Sequence, residues 1–88
     1  MKEIKLSGRE MAVLRSIDYT TGSTGAELHG RTSIDPSDLT DILNAMMELG
    51  YVEAFPTVEP LEEKALAATR FEINPSYALQ LKEAMKRR

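Results

Sequence analysis

The chain has 88 residues, of which 42% are hydrophobic and 28% charged, and its formal charge is −3. A chain this short can bury one core, so a single domain over residues 1–88 is expected, and no apolar run approaches the roughly 18–20 residues that cross a bilayer. Cysteine is absent and His29 is the lone imidazole, which excludes disulfide staples and thiolate metal sites, fits a cytoplasmic protein, and leads us to expect neither metal nor cofactor.

Met1-Lys2-Glu3-Ile4-Lys5-Leu6 carries charge with no apolar segment behind it, unlike a secretory signal. Ser7-Gly8-Arg9-Glu10 then predicts a capping box, in which the Ser7 hydroxyl accepts from the Glu10 amide while the Glu10 carboxylate accepts from the Ser7 amide. Leu6 before the cap and Met11 after it suit a hydrophobic staple, and Met11, Leu14 and Ile17 recur on one helical face that ends near Asp18. Residues 19–23 are turn formers. Thr24-Gly25-Ala26-Glu27 repeats the capping-box pattern and starts a shorter second helix running to about Arg31. Thr20-Thr21-Gly22-Ser23-Thr24-Gly25 superficially resembles a phosphate-cradling loop, yet it lacks the lysine and the preceding strand of a P-loop and reads as a turn.

After the turn at Thr32-Ser33-Ile34, Asp35 is a good N-cap and Pro36 suits the first helical position, where its missing amide costs nothing. Leu39, Ile42, Leu43, Met46 and Met47 make a wide apolar stripe, and Gly50 is placed to end this third helix in a left-handed cap. Ser37, Asp38, Thr40, Asp41, Asn44 and Glu48 are left for its outward face. The β-branched and aromatic content of residues 51–55 and the alternation in residues 69–73 predict two strands of a hairpin, with Tyr51 and Phe55 packing inward. Between them, residues 61–68 are strong helix formers that either hold a helical turn or stay mobile. Asn74-Pro75 opens a last amphipathic helix carrying Tyr77, Ala78, Leu81 and Met85, and Lys86-Arg87-Arg88 closes the sequence.

The expected fold is therefore mainly α with a small β-hairpin, in the order helix, helix, helix, strand, loop, strand, helix. Residues 24–55 resemble the helix-turn-helix of winged-helix transcription regulators. Leu28, Ile34 and Leu39 fall where such regulators bury side chains between their second and third helices. Leu49-Gly50-Tyr51-Val52-Glu53 is similar to the stretch by which many of them leave the recognition helix for the first wing strand. Arg70-Phe71-Glu72-Ile73-Asn74-Pro75 looks like their second wing strand running into the C-terminal helix. The layout is most similar to the MarR and related small regulators, without their long dimerisation helices.

The resemblance implies a DNA-binding domain of transcription-regulator type, with the third helix in the major groove and the wing on the flanking backbone. Carried onto this chain, it assigns base reading to Ser37, Asp38, Thr40, Asp41 and Asn44, supported by Arg31 and Arg70. Asn can pair with adenine, Ser and Thr can serve most bases, and Asp can accept from cytosine. Charge argues against that assignment. Residues 33–69 carry a net −7, against +1 for residues 1–32 and +3 for residues 70–88, whereas duplex affinity comes largely from Lys and Arg releasing counterions from phosphates. Residues 35–50 hold four acids and no base, and Glu59, Glu62 and Glu63 outnumber Lys64 in the wing. Arg9, Arg15, Arg31, Arg70 and the Lys82, Lys86, Arg87, Arg88 end are the cations available to compensate.

No catalytic constellation is present, so an enzyme is not expected. Three uses remain: a regulator that binds duplex DNA, a winged-helix protein-interaction module that meets a basic partner through the acidic helix 35–50 or the wing, and a homodimerising scaffold. His29 lacks a paired nucleophile and reads as a surface or partly buried residue, while Met11, Met46, Met47 and Met85 read as core filling.

Overall fold

Both predicted capping boxes form, and they fix where the first two helices begin. In a computed structural model describing residues 4–57 and 60–86, α1 (Gly8–Ser16) starts from Ser7, and α2 (Gly25–Thr32) starts from Thr24; each cap accepts from the amide three residues on and donates to that residue's carboxylate. Each cap contributes about 1 kcal/mol. Met1 to Glu3 of the N-terminal run, Glu59 of the predicted wing, and the terminal Arg87 and Arg88 lie outside the described residues.

A residue with positive φ turns the chain between α2 and the third helix. Ser33 is left-handed at φ 59°, and its amide donates to the His29 carbonyl. His29 Nδ1 lies 2.8 Å from the Ile34 carbonyl, which can only accept, so this ring nitrogen carries the proton. The helix α3 (Pro36–Glu48) then begins at Asp35, whose carboxylate accepts from the Ser37 amide, and closes at Gly50 with φ 85°.

The strands Val52–Phe55 (β2) and Arg70–Ile73 (β3) form the expected antiparallel hairpin, with Val52 opposite Ile73 and Phe55 opposite Arg70. A third strand joins them where a turn residue and a helix cap were expected. Ser23–Thr24 (β1) pairs antiparallel with β3, giving the order β1-β3-β2. Residues 61–68 resolve to the helical alternative as α4 (Glu63–Leu66), anchored by buried Leu61 and Leu66. The chain ends with a 3-10 turn (Pro75–Tyr77) and α5 (Ala78–Lys86), where one continuous helix was expected.

All five α-helices and the strands β2 and β3 contribute to a single apolar cluster that includes Leu14, Leu28, Leu39, Leu43, Met46, Phe71 and Leu81. Ile34 of the turn is buried with them, as is Met85. Phe55 corrects the inward expectation: it alternates with buried Val52 and Ala54, so it lies on the outer face of the sheet at 38% exposure. The start of α2 packs so closely on α4 that no side chain fits between them. The Gly25 and Ala26 amides donate to the carbonyls of Thr69 and Ala67, and a Cβ on Gly25 would overlap the Leu66 carbonyl.

Candidate functional site

The outward surface of α3 is narrower than its sequence suggests. Ser37, Asp38, Asp41 and Glu48 are exposed. Thr40 is only 6% exposed, and its hydroxyl donates to the Pro36 carbonyl one turn back, a bond that lets a threonine turn inward without leaving its oxygen unpaired. Asn44 is likewise engaged within the fold. Its side-chain amide donates to the Leu61 carbonyl, and its side-chain oxygen accepts from the Leu61 amide, both at 2.9 Å. Two of the five expected base readers thus serve the fold in this conformation. Helical periodicity could not show this, because the segment that Asn44 holds returns 17 residues later.

Pinning Leu61 to Asn44 leaves a groove of about 570 Å³ between α3 and the returning chain. Ala45, Met47 and Pro60 give it an apolar floor, with Asp41 and Glu48 as its acidic members. These carboxylates project from the same side of α3 as exposed Asp38 and Ser37, at the three- and four-residue spacing that aligns side chains on a helix.

The arginines expected to compensate for this charge have partners of their own. Arg9 reaches from α1 to Asp38, with Nη2 to Oδ2 at 3.1 Å; the pair is exposed and contributes no more than about 1 kcal/mol, yet it offsets one of the acids. Arg31 donates through Nη1 to the Ser16 carbonyl at 2.6 Å and to the Ser23 hydroxyl at 2.9 Å, tying α2 to the end of α1 and to β1. Arg70 bridges Glu72 at 3.0 Å, and its guanidinium lies 5.3 Å from the centre of the Phe55 ring directly across the hairpin. The bridge also relieves the placement of Glu53 opposite Glu72, two like charges facing each other across the ladder.

The loop between α1 and β1 is occupied as well. Asp18 Oδ1 accepts from the Thr20 and Thr21 amides, and the Asp18 carbonyl accepts from the Gly22 amide, so the loop amides that a phosphate would need already have acceptors within the fold. The Thr21 and Thr20 amides hold the Asp18 carboxyl below its ordinary value of 3.8.

A second grouping was not evident from the sequence. Arg15, Tyr19, Lys82, Glu83 and Lys86 meet along a groove of about 710 Å³ between the end of α1 and α5. Arg15 Nη2 donates to the Met85 carbonyl at 2.9 Å, across 70 residues of sequence. The Lys82 ammonium sits 4.8 Å above the centre of the Tyr19 ring, and burial raises the Tyr19 hydroxyl above its ordinary pKa of 10.0. The i, i+4 spacing of Lys82 and Lys86 was the one signal available beforehand.

Among the described residues, no group of three or more His, Cys, Asp or Glu could hold a metal ion, and no helix is long and apolar enough to cross a membrane. Compared with protein-family models, with characterised proteins and with solved structures, the chain matches none.

Proposed function

We propose that the chain is a winged helix-turn-helix domain whose third helix meets a protein rather than a DNA groove. The winged-helix part rests on the resemblance in residues 24–55 and on the succession of α2, a tight turn, α3 and a hairpin. The choice of partner rests on one observation: α3 presents Asp38, Asp41 and Glu48 outward while Thr40 and Asn44 are spent inside the fold. A face of this kind repels the phosphates that supply most duplex affinity, and α3 has no cation to release counterions. It suits a basic amphipathic segment whose apolar side chains seat on Ala45, Met47 and Pro60 while its Lys or Arg side chains meet Asp41 and Glu48.

A labelled synthetic helix of lysine and leucine is the probe. It should bind in a salt-sensitive manner, and Asp41→Asn with Glu48→Gln should weaken it about tenfold or more, since each lost rim charge removes a fraction of the attraction. Unchanged affinity in that double variant would remove α3 as the contact. DNA recognition, the use that the family resemblance first implies, would regain first place if duplex DNA bound through the same residues.

A further inference from the structure

The groove between α1 and α5 lies apart from the α3 face and has the opposite charge. Three cations, Arg15, Lys82 and Lys86, line it against one acid, Glu83. Two large apolar side chains are open to solvent within it: Leu79 at 72% and Tyr19 at 46%, with Met85 beneath. On α5, Leu79 lies three and four residues before Lys82 and Glu83, and Lys86 lies four and three residues after them, so one apolar, two basic and one acidic group share a stripe. Lys82 and Arg15 are held in place, the first over the Tyr19 ring and the second on the Met85 carbonyl, which lowers the entropy cost of presenting their charge to a ligand.

We propose that this groove docks an acidic amphipathic segment of another protein. One apolar side chain of that segment seats against Leu79 and Tyr19, and its carboxylates meet Lys82, Lys86 and Arg15. Charge complementarity sets the sign of the partner, and the exposed leucine sets its class. A nucleic-acid strand gains nothing from Leu79, is repelled by Glu83, and finds one face of the Tyr19 ring already covered by Lys82. An acidic helix with a leucine stripe uses all of these groups, because its apolar face covers Leu79 while its acids flank it.

The test is fluorescence anisotropy of the whole chain with a synthetic helix carrying leucine at every third and fourth position and glutamate elsewhere. Polyglutamate and a single-stranded oligonucleotide are run alongside. The leucine–glutamate helix is expected to bind. Leu79→Glu and Lys82→Glu should each lower its affinity about tenfold, while Lys64→Glu on α4, the same charge reversal at an exposed lysine outside the groove, should leave it unchanged. Both altered groove positions are exposed, and far-UV circular dichroism verifies that the variants stay folded. Equal binding by the Leu79→Glu variant, equal binding of polyglutamate, or tighter binding of the oligonucleotide would each overturn the proposal. So would a concentration-dependent dimer in sedimentation that Leu79→Glu dissolves, because a second copy would then occupy the groove.

Discussion

Two surfaces of this protein carry opposite charge, and they differ more in what their side chains are committed to than in how many charges they hold. On the α3 side Arg9 is paired with Asp38 and Arg70 with Glu72, while Arg31 is tied to the Ser16 carbonyl and the Ser23 hydroxyl, which fix it inside the fold without cancelling its charge. On α3 itself Asp41 and Glu48 have no salt-bridge partner among the described residues. On the α5 side Lys82 is fixed over a neutral ring and Arg15 on a carbonyl, contacts that hold a cation in place without cancelling it. The position of a charge in the sequence therefore says less about recognition than whether its partner is another charge.

The largest effect is expected from displacing α4, which follows the Pro60-Leu61 segment at the acidic groove. Gly25→Ala places a Cβ on the Leu66 carbonyl and should push α4 off α2. We expect a loss of at least about 2 kcal/mol and a fall in Tm of roughly 10 °C or more, read by thermal denaturation. An unchanged Tm would contradict the close packing of these elements. Asn44→Ala acts more locally by orphaning the amide and carbonyl of Leu61, at about 1–3 kcal/mol. Backbone NMR should show the shifts concentrated around Pro60 and Leu61 with α5 unaffected; equal shifts at Lys82 would mean that the two surfaces are coupled.

Two smaller effects sharpen the contrast. A double-mutant cycle with Arg9→Ala and Asp38→Asn should give a coupling below about 1 kcal/mol that fades with added salt, and a larger value would make the pair a structural clamp rather than a surface neutralisation. Asp18, next to Tyr19 at the edge of the basic groove, should titrate below 3.8 by carboxyl NMR. Because its folded pKa is depressed, its stabilisation is present above the unfolded value near about 4 and is lost as pH falls through the folded value. Asp18→Asn should remove that acid-side loss, and a wild-type midpoint at or above the ordinary value would show that the Thr20 and Thr21 amides do not hold the carboxylate.

The helix starts were legible because capping is local: Ser7 with Glu10, Thr24 with Glu27 and Asp35 with Pro36 each state their role within four residues. The hairpin was legible from alternation. β1 was not, since Ser23-Thr24 has no apolar alternation and becomes a strand only because β3 offers a second edge. Thr40 and Asn44 were placed outward because a helical wheel assigns polar residues to solvent. One is satisfied by its own helix and the other by a segment that folds back from the hairpin loop. The basic groove needed the two ends of the chain to meet, through Arg15 and Met85, and no local pattern encodes that contact.

The most direct test of the α3 assignment is site-resolved: NMR shifts of the isotopically labelled chain on addition of random-sequence duplex DNA at low salt. A protein-facing α3 should show no perturbation at Ser37, Asp38 or Asp41, with at most weak, salt-sensitive shifts near Lys82 and Lys86. Saturable shifts at Ser37 and Asp41 that fade steeply with salt would contradict it and return α3 to the DNA groove.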